Sequence, residues 1–118
     1  MSMKKRTNVQ RVGDIVERAV LVAKESKRWK TRDALVGSSI ERDATLCRLG
    51  IIGVAASGIS KSYRAKFPGV PWCEVVALRN LLGTPERRLD LDAVWKAMCE
   101  TVPILLKELA PLAPATVS

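Results

Sequence analysis

The chain has 118 residues, 47% of them hydrophobic and 27% charged, and it contains no histidine. This length and composition allow one buried core, which excludes a disordered chain and predicts a single domain over residues 1–118. The formal net charge is +8, of which residues 1–36 carry +6. Such a basic field attracts polyanions, nucleic acid first, although a solvated face that only aids solubility explains the charge equally well.

Membrane proteins, disulfide scaffolds and metalloproteins are all disfavoured. The chain opens on polar residues and has no apolar run of ~18 residues, so we expect no signal peptide, no membrane span and a cytoplasmic location. Cys47, Cys73 and Cys99 are odd in number and lack C-x-x-C spacing, which predicts reduced, buried cysteines. Without histidine, a zinc site would need cysteine and carboxylate ligands alone, so we expect no metal and no cofactor.

The first helix is predicted over residues 8–27, where apolar residues recur at helical spacing. These residues are Val9, Val12, Val16, Ala19, Val20 and Ala23. The basic stretch at residues 26–30 ends this helix. A short helical piece is expected near residues 31–36, with Gly37 as its stop.

A second helix is predicted to begin with a capping box, in which Ser38 and Glu41 satisfy each other's end of the helix, and to run to about Gly58. Its expected apolar stripe comprises Ile40, Ala44, Cys47, Ile51, Val54 and Ala55, widened by Leu46 and Leu49. Gly50 and Gly53 lower the helix propensity. Small residues at these positions let another helix approach closely, either within the domain or across a dimer.

Prolines and glycines divide the next part of the chain. Residues 60–67 predict one or two helical turns, and residues 68–71 predict a break. Pro71 is well placed at the first position of a new helix, which is predicted over residues 72–82. Gly83 and Pro85 then stop that helix, one through flexibility and the other through its ring.

The last helix has the clearest helical periodicity in the chain. It is predicted to begin at Leu89 or Asp90 and to end at Pro111 and Pro114, with a kink at Pro103 because proline removes a backbone hydrogen bond. No alternating strand pattern occurs. The sequence therefore predicts an all-α fold, an antiparallel bundle of four to five helices, with frayed tails at residues 1–7 and 111–118.

Three stretches of the chain carry a resemblance to a known family. They are residues 43–56, with the run Ile51-Ile52-Gly53-Val54-Ala55-Ala56; residues 67–80, from Phe67-Pro68 to Arg79-Asn80; and residues 89–95, followed by Val102-Pro103. In this order they resemble the HepT-like toxins of bacterial toxin–antitoxin modules, which belong to the HEPN superfamily. The resemblance implies a helical, RNA-directed ribonuclease that needs no metal.

The family's catalytic motif reads R-N-x-x-x-H-x-Y, and this sequence keeps only its first half. Arg79 and Asn80 are present, whereas Thr84 occupies the histidine position and Glu86 the tyrosine position. In the family, the histidine is thought to move protons while the arginine holds the phosphate. A histidine suits proton transfer because it titrates near neutrality. Threonine does not, and Glu86 could act as a base only if it were buried, so the resemblance implies an impaired ribonuclease.

Each of these positions also has a plain structural explanation. Arg79 could pair with an acid, and Asn80 could cap a helix or occupy a turn. Trp72 and Trp95 are better explained by core or dimer packing than by base stacking. The candidate nucleic-acid-binding residues, which exposed charge alone would also explain, are Lys24, Lys27, Arg28, Lys30, Arg87 and Arg88.

Two functions remain open from the sequence. The first is the toxin component of a toxin–antitoxin pair. By the resemblance it would be a homodimer with a shared cleft, with RNA as a possible target and a cognate nucleotidyltransferase antitoxin that modifies the motif tyrosine. The second is a non-catalytic dimeric module that binds RNA or protein and cuts nothing.

Overall fold

The computed structural model describes residues 6–33, 39–85 and 88–112 of the chain. Within these ranges there are five helices and no strand, which confirms the all-α prediction. The helices are α1, Asn8–Arg28; α2, Ser39–Ser57; α3, Lys61–Arg64; α4, Trp72–Ala77; and α5, whose consecutive segments are Leu91–Lys96, a π-helical turn Ala97–Thr101, and Val102–Leu109. A 3₁₀ helix, Leu78–Gly83, continues α4, and another, Ala110–Leu112, follows α5.

Helix α1 begins at a reciprocal capping box. The hydroxyl of Thr7 accepts a hydrogen bond from the backbone nitrogen of Gln10 at 3.1 Å, and the Gln10 side chain accepts one from the backbone nitrogen of Thr7 at 2.9 Å. Two otherwise unpaired donors at the start of the helix are thereby satisfied. The helix begins at the predicted residue and ends one residue later than predicted.

Contacts at both ends of α1 show that α2 runs antiparallel to it. At the start of α1, Asn8 exchanges hydrogen bonds with Ser60, just after α2, at 3.1 and 3.2 Å. At the other end, the Glu41 carboxylate in the first turn of α2 accepts hydrogen bonds from Arg28 at 2.8 Å and from the indole of Trp29 at 3.0 Å. Arg32 also pairs with Asp92 at 3.1 Å, which places the start of α5 at the same end of the bundle.

The core is aliphatic, as expected from a chain with few aromatic residues. The side chains that are fully buried include Ile15, Leu49, Ile52, Met98, Leu105 and Leu109. Burying a residue of this size stabilises the fold by roughly 1.5–3 kcal/mol relative to leaving it exposed. Trp72 and Trp95 are half-buried against this core, and the Trp72 indole donates to the carbonyl oxygens of Arg64 and Phe67, both at 3.1 Å. Both residues therefore have the packing environment favoured from the sequence.

The face that α2 turns to the core differs from the predicted stripe. Of the predicted residues, Leu46, Leu49 and Ala55 are buried, whereas Ile40 is 83% exposed, Val54 is 47% exposed and Cys47 is also exposed. The prediction did not include Arg42, Thr45, Ile52 and Ala56, which are buried as well. Helix α2 is apolar on two sides, and the packing of α1 and α4 buries the side of Leu46 and Leu49.

The two glycines of α2 make room within the domain. A β-carbon at Gly53 would overlap the backbone nitrogen of Arg79, and one at Gly50 would overlap the side chain of Leu82. Of the two explanations left open by the sequence, the close approach lies between α2 and the 3₁₀ helix that follows α4. That second half of the predicted 72–82 helix is 3₁₀ rather than α-helical, although it stops at Gly83 as expected.

Helix α5 begins at a side-chain cap and contains one wide turn before Pro103. Asp90 caps it by accepting a hydrogen bond from the backbone nitrogen of Ala93 at 3.1 Å. Just before Pro103, where we predicted a kink, the helix makes a π-helical turn in which the Val102 backbone nitrogen donates to the carbonyl oxygen of Ala97. A wider turn relieves the clash between a proline ring and the preceding turn of the helix.

Several predictions lie outside the described residues. They concern most of the short helix at residues 31–36, the stop at Gly37, the Ser38 half of the capping box and most of both tails. Among the described residues, no helix is both long and apolar enough to cross a membrane.

Candidate functional site

Arg79 lies on the 3₁₀ helix with its backbone against α2 and its side chain exposed. The backbone is held there because Gly53 has no side chain to keep it away. Among the described residues, the Arg79 guanidinium has no ion-pair or hydrogen-bond partner, so the simple explanation of an acid pair finds no support. An exposed, unpaired guanidinium with a fixed backbone can make a bidentate contact with a phosphate.

Thr84, at the histidine position of the motif, ends the 3₁₀ helix. Its hydroxyl donates to the carbonyl oxygen of Asn80 at 2.6 Å, and its backbone is extended, with φ −85° and ψ 122°. The extended conformation is the one that a residue before proline prefers, and Pro85 follows. The Asn80 side chain is exposed. The structure therefore brings Asn80 and Thr84 together, and the hydroxyl of Thr84 acts as a cap.

Two grooves meet at Thr84. The α5 groove, about 430 Å³, lies between α4 with its 3₁₀ extension and the first half of α5; it is lined by Glu74, Ala77, Leu78, Leu81, Thr84, Arg88, Leu89, Asp90, Ala93, Val94, Lys96, Ala97 and Thr101. The α2 groove, about 340 Å³, is lined by Asp43, Leu46, Cys47, Leu81, Leu82, Thr84 and Leu89. Leu81, Thr84 and Leu89 line both grooves, which therefore lie side by side; we refer to the two grooves together as the trough.

The candidate nucleic-acid-binding residues form two groups. Lys24, Lys27 and Lys30 are exposed at the end of α1 without an ion-pair partner among the described residues, whereas Arg28 pairs with Glu41 at 2.8 Å and with Glu25 at 3.7 Å. Arg88 is exposed at the rim of the α5 groove. Glu86 and Arg87 lie outside the described residues. The α1 lysines and Arg88 are therefore available to a polyanion, and Arg28 is already engaged.

The three cysteines are unpaired, as predicted, but all are exposed rather than buried. The periodicity that suggested burial placed Cys47 on the α2 face that proved to be exposed. Partial burial of the thiol, and secondarily the neighbouring Glu100 carboxylate, raise the pKa of Cys99. Within the described ranges, no three cysteine or carboxylate side chains come together as metal ligands would, and the expectation of metal-independent chemistry stays a prediction.

The family of the chain follows from comparison with known proteins. The model of the family described as "Ribonuclease HepT-like" matches residues 9–112, which include all five helices and both grooves. The chain belongs to the HepT-like ribonuclease family. This confirms the resemblance drawn from the three sequence stretches. The catalytic roles of individual residues stay predictions.

Two similar proteins carry ribonuclease names. The chain is 40% identical over 73 residues to "Putative RNase MJ1380" of Methanocaldococcus jannaschii, covering 62% of this chain and 67% of that protein. It is 27% identical over 101 residues to "Probable ribonuclease HepT" of Thermococcus cleftensis, covering 86% and 91%.

A third relative is longer than this HepT-like chain. "Gamma-glutamylcyclotransferase and putative RNase MJ0434" of M. jannaschii is 30% identical over 91 residues, which cover 77% of this chain and only 41% of that protein. No solved structure matches the chain significantly.

Most of the residues that line the two grooves were not predicted from the sequence. Glu74, Lys96 and Thr101 line the α5 groove, yet none belongs to the motif. The available signal was helical spacing, because Ala93, Lys96 and Ala97 share one face of α5. That spacing alone does not say which neighbouring element the face meets.

Proposed function

We propose that this HepT-like protein is the toxin component of a toxin–antitoxin pair, directed at RNA in the cytoplasm and impaired in cleavage. The observation that carries the proposal is the hydrogen bond from the Thr84 hydroxyl to the Asn80 carbonyl. The position from which the family's histidine would transfer protons holds a group that does not titrate near neutrality, and that group is engaged in capping.

Arg79 supplies the part of the chemistry that remains. Its exposed guanidinium would hold the phosphate next to the scissile bond, and the lysines at the end of α1 would add non-specific attraction for the RNA backbone. Cleavage needs in addition a base for the 2′-hydroxyl and an acid for the leaving oxygen. Thr84 provides neither, so the RNA would be bound and cut slowly or not at all.

The proposed toxin acts as a homodimer. Helix α2 carries apolar residues away from the core, which we name the α2 stripe: Ile40, Cys47 and Val54 are exposed, and Ala44 and Ile51 are half-buried. In a single chain the stripe is left in contact with water, which is costly for a small bundle. A second copy packed antiparallel on α2 would cover it and bring two copies of Arg79 to one cleft, as the family's shared site requires.

A cognate nucleotidyltransferase antitoxin is the proposed partner. In the family this enzyme modifies the motif tyrosine, and here Glu86 occupies that position. A carboxylate offers no phenolic oxygen for the modification. We therefore propose that control of the toxin depends on binding alone. Mass spectrometry of the protein co-expressed with such an antitoxin should show an unmodified chain in a stable complex.

Restoring the motif tests the proposal. Thr84→His combined with Pro85→Asp places an imidazole in the trough and removes the proline restriction. Because loss of a general base typically costs about 10²–10⁴-fold, the double variant should cleave RNA measurably faster than the unmodified protein in EDTA. Adding Arg79→Ala should abolish the gain. Strong cleavage by the unmodified protein that survives Arg79→Ala would contradict the proposal.

A second candidate function is a non-catalytic dimeric module that binds RNA or protein. The capping role of Thr84 favours it, because a residue recruited to hold the 3₁₀ helix is not poised for chemistry. The same variants separate the two candidates. If Thr84→His with Pro85→Asp binds RNA as tightly as the unmodified chain and still cuts nothing, the trough is a binding surface.

A further inference from the structure

The α5 groove has the size and floor of a ligand site. Its volume of about 430 Å³ lies within the usual range of small-molecule pockets, roughly 300–1,000 Å³. The floor is aliphatic and is made by Leu78, Leu81, Leu89, Val94 and Ala97. A flat, weakly polar group such as a nucleobase can be desolvated against such a floor without losing hydrogen bonds from its edges.

One hydroxyl that lines the groove is free to bind a ligand. Thr101 lies in the π-helical turn of α5, is only 6% exposed and lines the groove. Its side chain makes no hydrogen bond to any residue in the described ranges. The hydroxyl oxygen is not enclosed by protein, so it can donate or accept a hydrogen bond with a ligand in the groove.

The rim of the groove carries both signs of charge. Arg88 and Lys96 are exposed cations, and Glu74 and Asp90 are exposed carboxylates, of which Asp90 is engaged in capping α5. Within the described part of the chain, Arg88, Lys96 and Glu74 have no ion-pair partner. A simple anion in the groove would be repelled by the two carboxylates. An apolar helix docked in the groove would leave the charged side chains and Thr101 without hydrogen-bond or ion-pair partners. The groove suits a ligand with an anionic end and a hydrogen-bond-donating end.

We propose that the α5 groove is a nucleotide subsite, which holds one unstacked nucleotide of a single-stranded RNA and prefers a base with an exocyclic amino group. Lys96 and Arg88 bind its phosphates, and Glu74 accepts a hydrogen bond from the amino group of adenine, cytosine or guanine. A carboxylate can only accept hydrogen bonds. Uracil offers it a single donor, the ring N–H, and this donor lies between two carbonyl oxygens that repel a carboxylate. Unstacked bases read on their edges are the usual targets of RNA-binding proteins.

The subsite rests on the proposed function, because the strand that fills it is the one bound at Arg79. Arg79 lines neither groove, but it lies on the same 3₁₀ helix as Leu78 and Leu81, which line the α5 groove. A strand that passes from Arg79 along this helix would reach the α5 groove without entering the α2 groove, which the proposed second copy covers at Cys47. The α5 groove would then select the nucleotide adjacent to the scissile phosphate.

The experiment measures the binding of fluorescein-labelled pentaadenylate, pentacytidylate and pentauridylate by anisotropy at several salt concentrations. Lys96→Ala should weaken pentaadenylate binding about three- to tenfold and reduce the salt slope by about one. Lys107→Ala is the matched control, because Lys107 is also an exposed lysine of α5 but lies outside the groove, and it should change affinity less than about twofold.

Two further variants test the other contacts. Thr101→Val keeps the shape of the side chain and should weaken binding without changing the salt slope. Glu74→Ala should remove the preference for pentaadenylate and pentacytidylate over pentauridylate. Equal effects of Lys96→Ala and Lys107→Ala, or equal affinity of the unmodified protein for all three oligonucleotides, would overturn the subsite.

The outcomes also separate this proposal from the one on which it rests. If Arg79→Ala weakens binding while the groove variants do not, the subsite is wrong and the RNA-directed function stands. If the unmodified protein binds none of the oligonucleotides at low salt, both proposals are wrong.

Discussion

The hydroxyl of Thr84 donates to the carbonyl oxygen of Asn80 across one turn of the 3₁₀ helix, at 2.6 Å. The two residues are parts of one motif in the family, where position 84 holds the histidine. In this chain their relationship is structural, because the bond ties the residue that ends the 3₁₀ helix to a carbonyl oxygen within that helix. On the proposed function, the threonine exchanges a proton-transfer group for a cap.

Thr84→Val should therefore destabilise the protein, by about 0.5–1.5 kcal/mol, the usual net worth of one such hydrogen bond. Thr84→Ser keeps the hydroxyl and should cost less. Urea unfolding of the two variants, followed by circular dichroism, measures the difference. Equal stabilities of the valine and serine variants would show that the hydroxyl contributes nothing to the fold.

The limits of sequence reasoning are clearest on α2. Periodicity placed its ends to within about a residue, but of the face predicted to meet the core, Ile40, Cys47 and Val54 are exposed. A helix with apolar residues on two sides satisfies the same periodic pattern in either orientation, and only the neighbouring helices decide between them. Likewise, the motif identified Arg79 and Thr84 in the sequence. Lys96 and Thr101 can be recognised as groove residues only from the packing of α4 against α5.

The α2 stripe should be the dimer interface. Val54→Asp places a charge on the stripe, where it would be desolvated by the second copy, and should shift the protein towards monomer without unfolding it. Val9→Asp is the matched control, because Val9 is 48% exposed and Val54 is 47% exposed, but Val9 lies on α1. Sedimentation velocity at micromolar concentrations distinguishes the variants. A monomeric unmodified protein would rule out the homodimer.

The unpaired lysines of α1 should carry more of the RNA attraction than Arg28. Replacing Lys24, Lys27 and Lys30 with glutamine should weaken RNA binding and lower its salt slope by about three if each contacts a phosphate. Arg28→Gln alone should change the slope little, because that guanidinium is paired with Glu41 and Glu25. Binding measured from low to moderate salt tests both. An unchanged slope in the triple variant would mean that these lysines are only solvated.

Cys99 should be a slow nucleophile near neutral pH. Its pKa is raised by partial burial and then by Glu100, so its thiolate fraction at a given pH is smaller than that of an ordinary thiol. Alkylation by iodoacetamide, followed by mass spectrometry of the Cys99 peptide, should accelerate only at higher pH. Glu100→Gln should speed the reaction modestly, whereas Glu108→Gln should not. A Cys99 rate equal to that of a model peptide would contradict the raised pKa.

The close packing of α2 against the 3₁₀ helix should make Gly53 intolerant of a side chain. Gly53→Ala would force a β-carbon into the backbone nitrogen of Arg79, and backbone has little freedom to move aside. Although alanine favours a helix more than glycine, the overlap should dominate and cost roughly 1–3 kcal/mol, the range for overpacked cores. The shift of the 3₁₀ helix should also move Arg79 and weaken RNA binding.

Gly83→Ala is the matched control, because no heavy atom lies within 4 Å of the added β-carbon and no described residue has a left-handed φ. Its stability should be unchanged or raised by about 0.4–1 kcal/mol, through the smaller entropy of the unfolded chain. Urea unfolding and RNA titration of the two variants measure both effects. If Gly53→Ala were as stable as Gly83→Ala and bound RNA equally well, Arg79 would not depend on its close contact with α2.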